Sequence, residues 1–297
     1  MYTKKSGFIT IAGRPNVGKS TLINMLVGEK VAIVSNRPQT TRNSILGILN
    51  TDSSQMIFTD TPGMHRGSDK LSEFMVKSIN SSMQDTDIVM FVTEPLEEIS
   101  DTDMRFIERF KNGGSRVLLI INKTDLYNRD RIANAIIQYS ELYEFDAVIP
   151  ICAKNNKQRD ALITEIEKLL LPGPIYYDED IYTDQPEKVI ASEILREKTL
   201  KSLADEIPHG IAVEIALFRE RADKEIIDIE ASIYCEREGH KPIIIGKNGD
   251  MLKLIATRAR QDMEKLLGMK VNLKCRVKVR KDWKNNTNYL RDFGYKK

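Results

Sequence analysis

Gly13-Arg14-Pro15-Asn16-Val17-Gly18-Lys19-Ser20 fits the pattern GxxxxGK[ST] at every position, and Thr21 follows it. These types at this spacing suit one task, holding a polyphosphate. The backbone N–H groups of such a loop turn inward onto the β-phosphate, and the positive end of the helix it opens adds to the attraction. Lys19 would neutralise the β- and γ-oxygens, and Ser20 would give a hydroxyl oxygen to Mg2+. An apolar run, GFITIAG at 7–13, precedes the loop, and a helical pattern begins at 19. That strand–loop–helix order is the context the motif requires.

A phosphate loop does not choose a base. Asn122-Lys123-Thr124-Asp125 does, at the end of an apolar strand, where open α/β sheets place their ligands. A carboxylate at Asp125 accepts two hydrogen bonds from the guanine N1–H and exocyclic amine. Adenine offers neither and would leave the carboxylate unpaired, and a site built around specific bonds strongly rejects analogues lacking them. Three further pieces lie between and beyond. Asp60-Thr61-Pro62-Gly63 ends a strand, with Asp60 reaching Mg2+ through water and the Gly63 N–H reaching the γ-phosphate. Gln39-Thr40-Thr41-Arg42 supplies a Mg2+-binding threonine, Thr41, with Thr40 its rival because spacing does not separate neighbours. Cys152-Ala153-Lys154 offers the Ala153 N–H to guanine O6.

In this order the five pieces resemble the GTPase signature, with serine more usual in the family where Cys152 stands. GTP is then the substrate, GDP the product, Mg2+ the cofactor, and turnover slow. Ras-like members place a water-orienting glutamine just after DxxG. Here that residue is Met64, so the chain resembles the GTPases with an apolar residue there. In some of these a phosphate-loop asparagine recruits K+, and Asn16 occupies that slot; the competing reading is that Asn16 only turns the loop. His65 reads as a surface residue of the switch rather than a base. The catalytic set is therefore Lys19, Thr41, Gly63 and Asn16.

The elements that must position these residues follow from periodicity. Runs at 7–13, 44–49, 55–60, 87–93, 116–122 and 147–152 are apolar without alternation, as strands covered on both faces are. Helical patterns fall between them at 19–28, 70–83, 101–112, 129–141 and 158–170. Strands alternating with helices imply a doubly wound, mostly parallel α/β sheet over 1–170. Residues 171–186 carry three prolines, a glycine and an acidic cluster, and read as an extended linker.

From 187 to 297 the pattern changes. A helix at 187–206 is followed by alternating strands at 210–218 and 225–236, a short helix at 240–245, a helix at 250–267 and a basic strand at 270–280. Between the last two helices stands Ile243-Ile244-Ile245-Gly246-Lys247-Asn248-Gly249. It is not a second nucleotide loop. No Lys-Ser/Thr follows its second glycine, and Asp250 would repel phosphate. The αββααβ order with GxxG between helices resembles an α+β type II KH domain, which clamps single-stranded nucleic acid through that loop and a neighbouring apolar groove. The resemblance places RNA at Ile243 to Gly249. The tail at 277–286 is expected to add phosphate contacts, with Trp283 either stacking on a base or packing inside.

Charge agrees. From Glu236 to Lys297 there are 17 Lys/Arg against 7 Asp/Glu, whereas the remainder carries 28 against 36. A basic end on an acidic body suits a polyanion, nucleic acid or an anionic membrane surface. Three widely spaced cysteines make no zinc pattern and fit a reducing compartment. The N-terminal apolar run is too short for a signal peptide, and no stretch approaches the roughly 18 apolar residues of a spanning helix. A cytoplasmic location is expected.

A P-loop GTPase domain followed directly by a KH domain resembles the Era family of bacterial ribosome-assembly GTPases (TrmE-Era-EngA-like translation-factor GTPases). GRPNVGKSTL, QTTR, DTPGMH, NKTD, LREK at 195–198 and EIPHG at 206–210 carry the resemblance over essentially the whole chain. It implies binding to small-subunit rRNA near its 3′ end, association with the 30S subunit during assembly, loose contact with the inner membrane, and a monomer. The alternative it leaves is a membrane-associated or cell-cycle GTPase in which RNA binding is secondary.

Overall fold

The computed structural model describes residues 3–35, 37, 40–63, 69–84, 86–203, 210–222 and 224–295. Met64, His65, Gln39 and most of EIPHG lie outside the described residues. By contacts the chain forms two compact units. One holds 1–32, 41–66 and 75–184; the other holds 33–40, 67–74 and 185–297.

The first unit is a sheet in the order β2-β3-β1-β4-β5-β6, with β7 beside the start of β1. Its strands are β1 (Lys5–Ala12), β2 (Ile45–Asn50), β3 (Ser54–Asp60), β4 (Ile88–Thr93), β5 (Arg116–Ile121), β6 (Ala147–Pro150) and β7 (Leu171–Pro172). All neighbours are parallel except β2 on β3 and β7 on β1. Helices α1 (Lys19–Val27), α2 (Lys70–Gln84), α3 (Asp101–Lys111), α4 (Arg129–Leu142) and α5 (Arg159–Leu169) fill the crossovers. Both sheet faces are covered, which is why the strands read as apolar runs. One core packs Ile9, Ile11, Leu22, Phe58 and Leu162; the other packs Phe91, Phe106, Phe110 and Tyr139.

The 171–186 segment is not a free linker. Leu171 and Pro172 pair with Ser6 and Lys5. The Gln55 side chain accepts the Tyr176 and Tyr177 N–H groups at 2.7 and 3.1 Å and donates to the Tyr177 carbonyl at 2.8 Å. The Ile48 N–H donates to the Tyr182 carbonyl at 2.9 Å, and Thr183 Oγ1 donates to the Leu46 carbonyl at 2.7 Å. The segment thus straps the outer edge of β2, covering backbone groups that an edge strand would otherwise leave open.

The second unit contains α6 (Glu187–Ser202), β8 (Ala212–Glu220), β9 (Ile226–Cys235), α7 (His240–Ile245), α8 (Asp250–Leu267), β10 (Lys270–Val279) and α9 (Thr287–Asp292). Its sheet runs β10-β9-β8, antiparallel between β8 and β9 and parallel between β9 and β10. This is the expected αββααβ order. Periodicity does not reveal α9, a six-residue helix whose start is capped by the Asn286 side chain accepting from the Asn288 and Tyr289 N–H groups. Among the described residues no helix is long and apolar enough to cross a membrane.

Candidate nucleotide and RNA sites

The strand order reverses at β1, and the phosphate loop leaves its C-terminal end there, the switch point where open α/β sheets bind ligands. The loop needs its glycines. Gly18 has φ +103°, and a Cβ on it would stand 2.2 Å from Asn122 Nδ2. Asn16 has φ +65°, which asparagine tolerates, and it is exposed. Lys19 is buried, donating from Nζ to the Gly13 and Arg14 carbonyls at 3.0 and 2.9 Å. Burial lowers its pKa to about 8, partly opposed by Asp60. The Arg14 side chain turns away, its Nε pairing with the buried Asp103 at 2.9 Å, so it is the backbone of Arg14 that belongs to the loop. Pro15 abuts the DTPG turn: a Cβ on Gly63 would come within 2.7 Å of Pro15 Cα. Thr61 Oγ1 donates to the Ile11 carbonyl at 2.7 Å, and Thr61 and Pro62 are buried, so the turn is tied to β1.

Ser20, Thr41 and Asp60 converge. Ser20 Oγ lies 2.7 Å from Asp60 Oδ2 and 2.8 Å from Thr41 Oγ1, and Thr41 Oγ1 donates to Asp60 Oδ2 at 3.1 Å. Thr40 is not in this group; its Oγ1 donates to the Arg37 carbonyl at 2.5 Å. Asp60 is fully buried, and its Oδ1 has no hydrogen-bond partner. Burial raises its pKa against the pull of Lys19 and the two hydroxyls. Two hydroxyls around a buried carboxylate with an unsatisfied oxygen form a hard-oxygen cluster suited to a small divalent cation.

The base-side cleft is lined by Gly18, Thr21, Lys123, Asp125, Cys152, Ala153 and Lys154. Asp125 is exposed at its rim, and Thr124 starts a short 3-10 turn. Lys123 Nζ pairs with Glu94 at 2.7 Å. Cys152 and Ala153 are buried. Asn122 lines the cleft and also holds it together: Nδ2 donates to the Val17 carbonyl, and Oδ1 accepts the Ala153 N–H, the group expected to meet guanine O6. A polar network with no signal in the sequence lies behind the loop. Asp103 Oδ2 accepts from Tyr139 at 2.8 Å and from Thr93 at 3.2 Å as well as from Arg14.

In the second unit, Gly246 (φ +75°) and Gly249 (φ +84°) bracket the α7–α8 turn. A Cβ on Gly246 would meet Met251 at 2.6 Å, whereas the space at Gly249 is open. Lys247 and Asn248 are exposed. Ile243 is 51 % exposed and Ile245 half-buried, but Ile244 is fully buried in the core and presents nothing to a ligand, because α7 turns it inward. Leu254, 41 % exposed on α8, adds to the apolar surface of this unit and is a residue that sequence reasoning missed. Trp283 packs inside, 0 % exposed, its indole N–H donating to the Gly210 carbonyl at 3.0 Å; it does not stack on a base.

Fold and site together define a P-loop GTPase that carries a C-terminal KH domain. The family described as 50S ribosome-binding GTPase matches residues 8–123, and the KH domain family matches 206–284. GTPase Era of Thermoanaerobacter sp. (strain X514) is 50 % identical over 291 residues, 98 % of this chain and 96 % of that protein. GTPase Era of Clostridium botulinum (strain Alaska E43 / Type E3) is 48 % identical over 99 % of both. A crystal structure of a variant of Aquifex aeolicus Era bound to GDP.AlF4- superposes with TM-score 0.94 at 37 % identity, covering 98 % of this chain and 99 % of that one. A second Era structure, in complex with MgGDPNP and nucleotides 1506-1542 of 16S ribosomal RNA, has the same TM-score, identity and coverage. The chain belongs to the Era family of GTPases, and its first domain is a GTP-hydrolysing enzyme.

Proposed function

We propose that this GTPase binds small-subunit rRNA near its 3′ end through the second unit and acts in 30S subunit assembly. The observation that carries the reading is the Gly246–Gly249 turn, with exposed Lys247 and Asn248 beside the exposed Ile243, in a chain 37 % identical over nearly its whole length to an rRNA-bound Era. Filter binding of an RNA matching nucleotides 1506–1542 tests it. The wild-type chain should bind, and Lys247→Asp/Asn248→Asp should lose most of that affinity.

The residues assign themselves to steps of hydrolysis. The backbone of 13–18 and Lys19 hold the β- and γ-phosphates, and Asp125 selects guanine; the Ala153 N–H is given to Asn122 Oδ1 within the protein. Ser20, Thr41 and Asp60 fit Mg2+ and would hold it, directly or through water. When bound, Mg2+ supplies positive charge that offsets the charge on the transferring phosphoryl group. The Gly63 N–H would meet the γ-phosphate. Without a water-orienting glutamine, Asn16 in the phosphate loop would hold K+, whose charge would add to that of Mg2+; equal turnover in K+ and Na+ would sink that part.

GTP state and RNA access are coupled through the chain itself. Thr40, whose carbonyl accepts from the buried Arg196 of the second unit, is followed directly by Thr41, which stands beside Ser20 and Asp60. RNA affinity should therefore differ between GDP and a non-hydrolysable GTP analogue. A cytoplasmic location with peripheral contact to the inner membrane, and action as a monomer, follow from the family reading alone; cell fractionation and sedimentation test them.

A further inference from the structure

We propose that Asp103 is a positioning residue for GTP hydrolysis: through Arg14 it fixes the half of the phosphate loop that faces the γ-phosphate. The inference rests on the reading of Gly63 as the γ-phosphate contact and extends it. Asp103 stands in the first turn of α3, where its N–H is capped by Ser100 Oγ at 3.1 Å. It is fully buried, and its Oδ2 accepts from Arg14 Nε at 2.9 Å, from Tyr139 at 2.8 Å and from Thr93 at 3.2 Å. Its Oδ1 has no hydrogen-bond partner among the described residues. The bonding of the carboxylate thus falls on one oxygen, and that oxygen holds the loop. Burial, with Asp103 beside it, raises the pKa of Tyr139, so the phenol stays protonated and donates. Three elements therefore meet on one side chain of the loop: β4 through Thr93, α3 through Asp103 and α4 through Tyr139.

A buried charge is costly unless it is paired, so neither Asp103 nor Arg14 is free to leave the other. Fixing the Arg14 side chain fixes its backbone, whose carbonyl accepts from Lys19 Nζ at 2.9 Å. The residues on either side are held by close backbone approach. A Cβ on Gly13 would collide with the Val92 carbonyl, and one on Gly63 would come within 2.7 Å of Pro15 Cα. Arg14 is the anchored point between a contact to β4 and a contact to the DTPG turn. The other half of the loop has its own anchor, the Asn122 amide on the Val17 carbonyl at 2.8 Å. The two anchors divide the nucleotide between them. Val17 and Gly18 lead into α1, whose N-terminus attracts the β-phosphate that GDP and GTP share. Arg14 and Pro15 abut the turn assigned to the γ-phosphate, which GDP lacks.

The competing use of Arg14 is as a cation for the phosphates themselves. The pairing opposes it: the guanidinium is drawn to Asp103 and Thr93 behind the loop, and the carboxylate offsets its charge. An anchor can still govern rate without touching the nucleotide, because a displacement of about 1 Å at a reacting group costs about a hundredfold.

The experiment uses the full chain and measures kcat, melting temperature, and affinity for GDP and for a non-hydrolysable GTP analogue, at a temperature where every variant is folded. Asp103→Asn and Arg14→Met should each lower kcat about tenfold and weaken the analogue about fivefold, while GDP affinity stays within about twofold. The double variant should match the slower single one within about twofold, because either change breaks the same link. Arg14→Lys keeps a cation within reach of Asp103 and should recover most of kcat. Tyr139→Phe takes a bond from the same carboxylate but leaves Arg14 paired, so it should lower the melting temperature with kcat within about threefold of wild type. The proposal is overturned if GDP and the analogue weaken equally, if kcat is unchanged or raised in Asp103→Asn, if the two single effects multiply, or if Tyr139→Phe costs as much kcat as Asp103→Asn. Gly63→Ala judges the reading beneath it. If that variant binds the analogue as wild type does, the γ-phosphate role of Gly63 fails, while the kcat comparison and the double variant still judge the link from Asp103 to Arg14.

Discussion

Asn122 gives both ends of its amide to the protein: Nδ2 donates to the Val17 carbonyl at 2.8 Å, and Oδ1 accepts the Ala153 N–H at 3.0 Å. One side chain thus ties the phosphate loop to the turn at 152–154. Asp125, in the same motif, is exposed at the rim of the cleft, and the proposed function gives it the base contact. Asn122→Ala removes two buried bonds of about 0.5–1.5 kcal/mol each, so GDP and GTP affinities should fall together, by about ten- to a hundredfold, without a change in base preference. Asp125→Asn should instead shift preference from guanine to xanthine nucleotides. Titrations with fluorescent GDP, GTP and XDP separate the two outcomes; a change of base preference in the Asn122 variant would contradict the division of roles.

Thr41, not Thr40, stands beside Ser20 and Asp60. Thr41→Ala should therefore raise the Mg2+ concentration needed for binding a GTP analogue and lower kcat by about tenfold or more, while GDP affinity stays close to wild type. Thr40→Ala removes local bonding to the Arg37 and Ser35 carbonyls and should leave the Mg2+ dependence in place. Reversal of the two phenotypes would return the metal role to Thr40.

Much of this is legible because the chemistry constrains local sequence. The phosphate loop, DTPG and NKTD each sit at a strand end where spacing alone sets their place, and the apolar runs locate six strands to within a residue or two. The failures have physical reasons. The proline-rich strap reads like a linker because its bonds go to partners far off in the chain, Gln55 and Ile48, which no local pattern reports. LREK has no chemistry of its own as a pattern, but the structure accounts for it: Arg196 is buried, its guanidinium shared between Glu193 and the Thr40 carbonyl, and Glu197 is buried against Lys201. Ile244 shares its apolar type with the exposed Ile243, and only the helical turn separates them.

Glu167 supplies a pH test of the strap side of the first unit. Burial pushes its pKa up, but hydroxyl donors from Ser54, Thr51 and Ser53 outweigh that and hold it below the usual 4.5. A depressed carboxylate contributes stability above its unfolded pKa and loses it as pH falls through the folded value. The gap in urea midpoint between wild type and Glu167→Gln should be full at about pH 6–7 and should close as pH drops below about 4.5. A gap that widens on acidification would mean that the hydroxyls do not favour the ionised form.

Trp283 is the chain's one tryptophan, which makes its burial directly measurable. It is flanked by Phe293 and Tyr295 at 5.4 and 6.1 Å, and its N–H is bonded to Gly210. Emission should be blue-shifted, resist acrylamide quenching, and stay unchanged when RNA binds. Trp283→Phe keeps a ring but strands the Gly210 carbonyl, costing about 1–3 kcal/mol, whereas Trp283→Ala opens a cavity worth about 3–5 kcal/mol. Below its unfolding transition the Phe variant should bind RNA within about twofold of wild type, because the tryptophan supports the surface without being part of it. Strong quenching by RNA, or a loss of RNA affinity in a fully folded Phe variant, would put the indole back in the binding site.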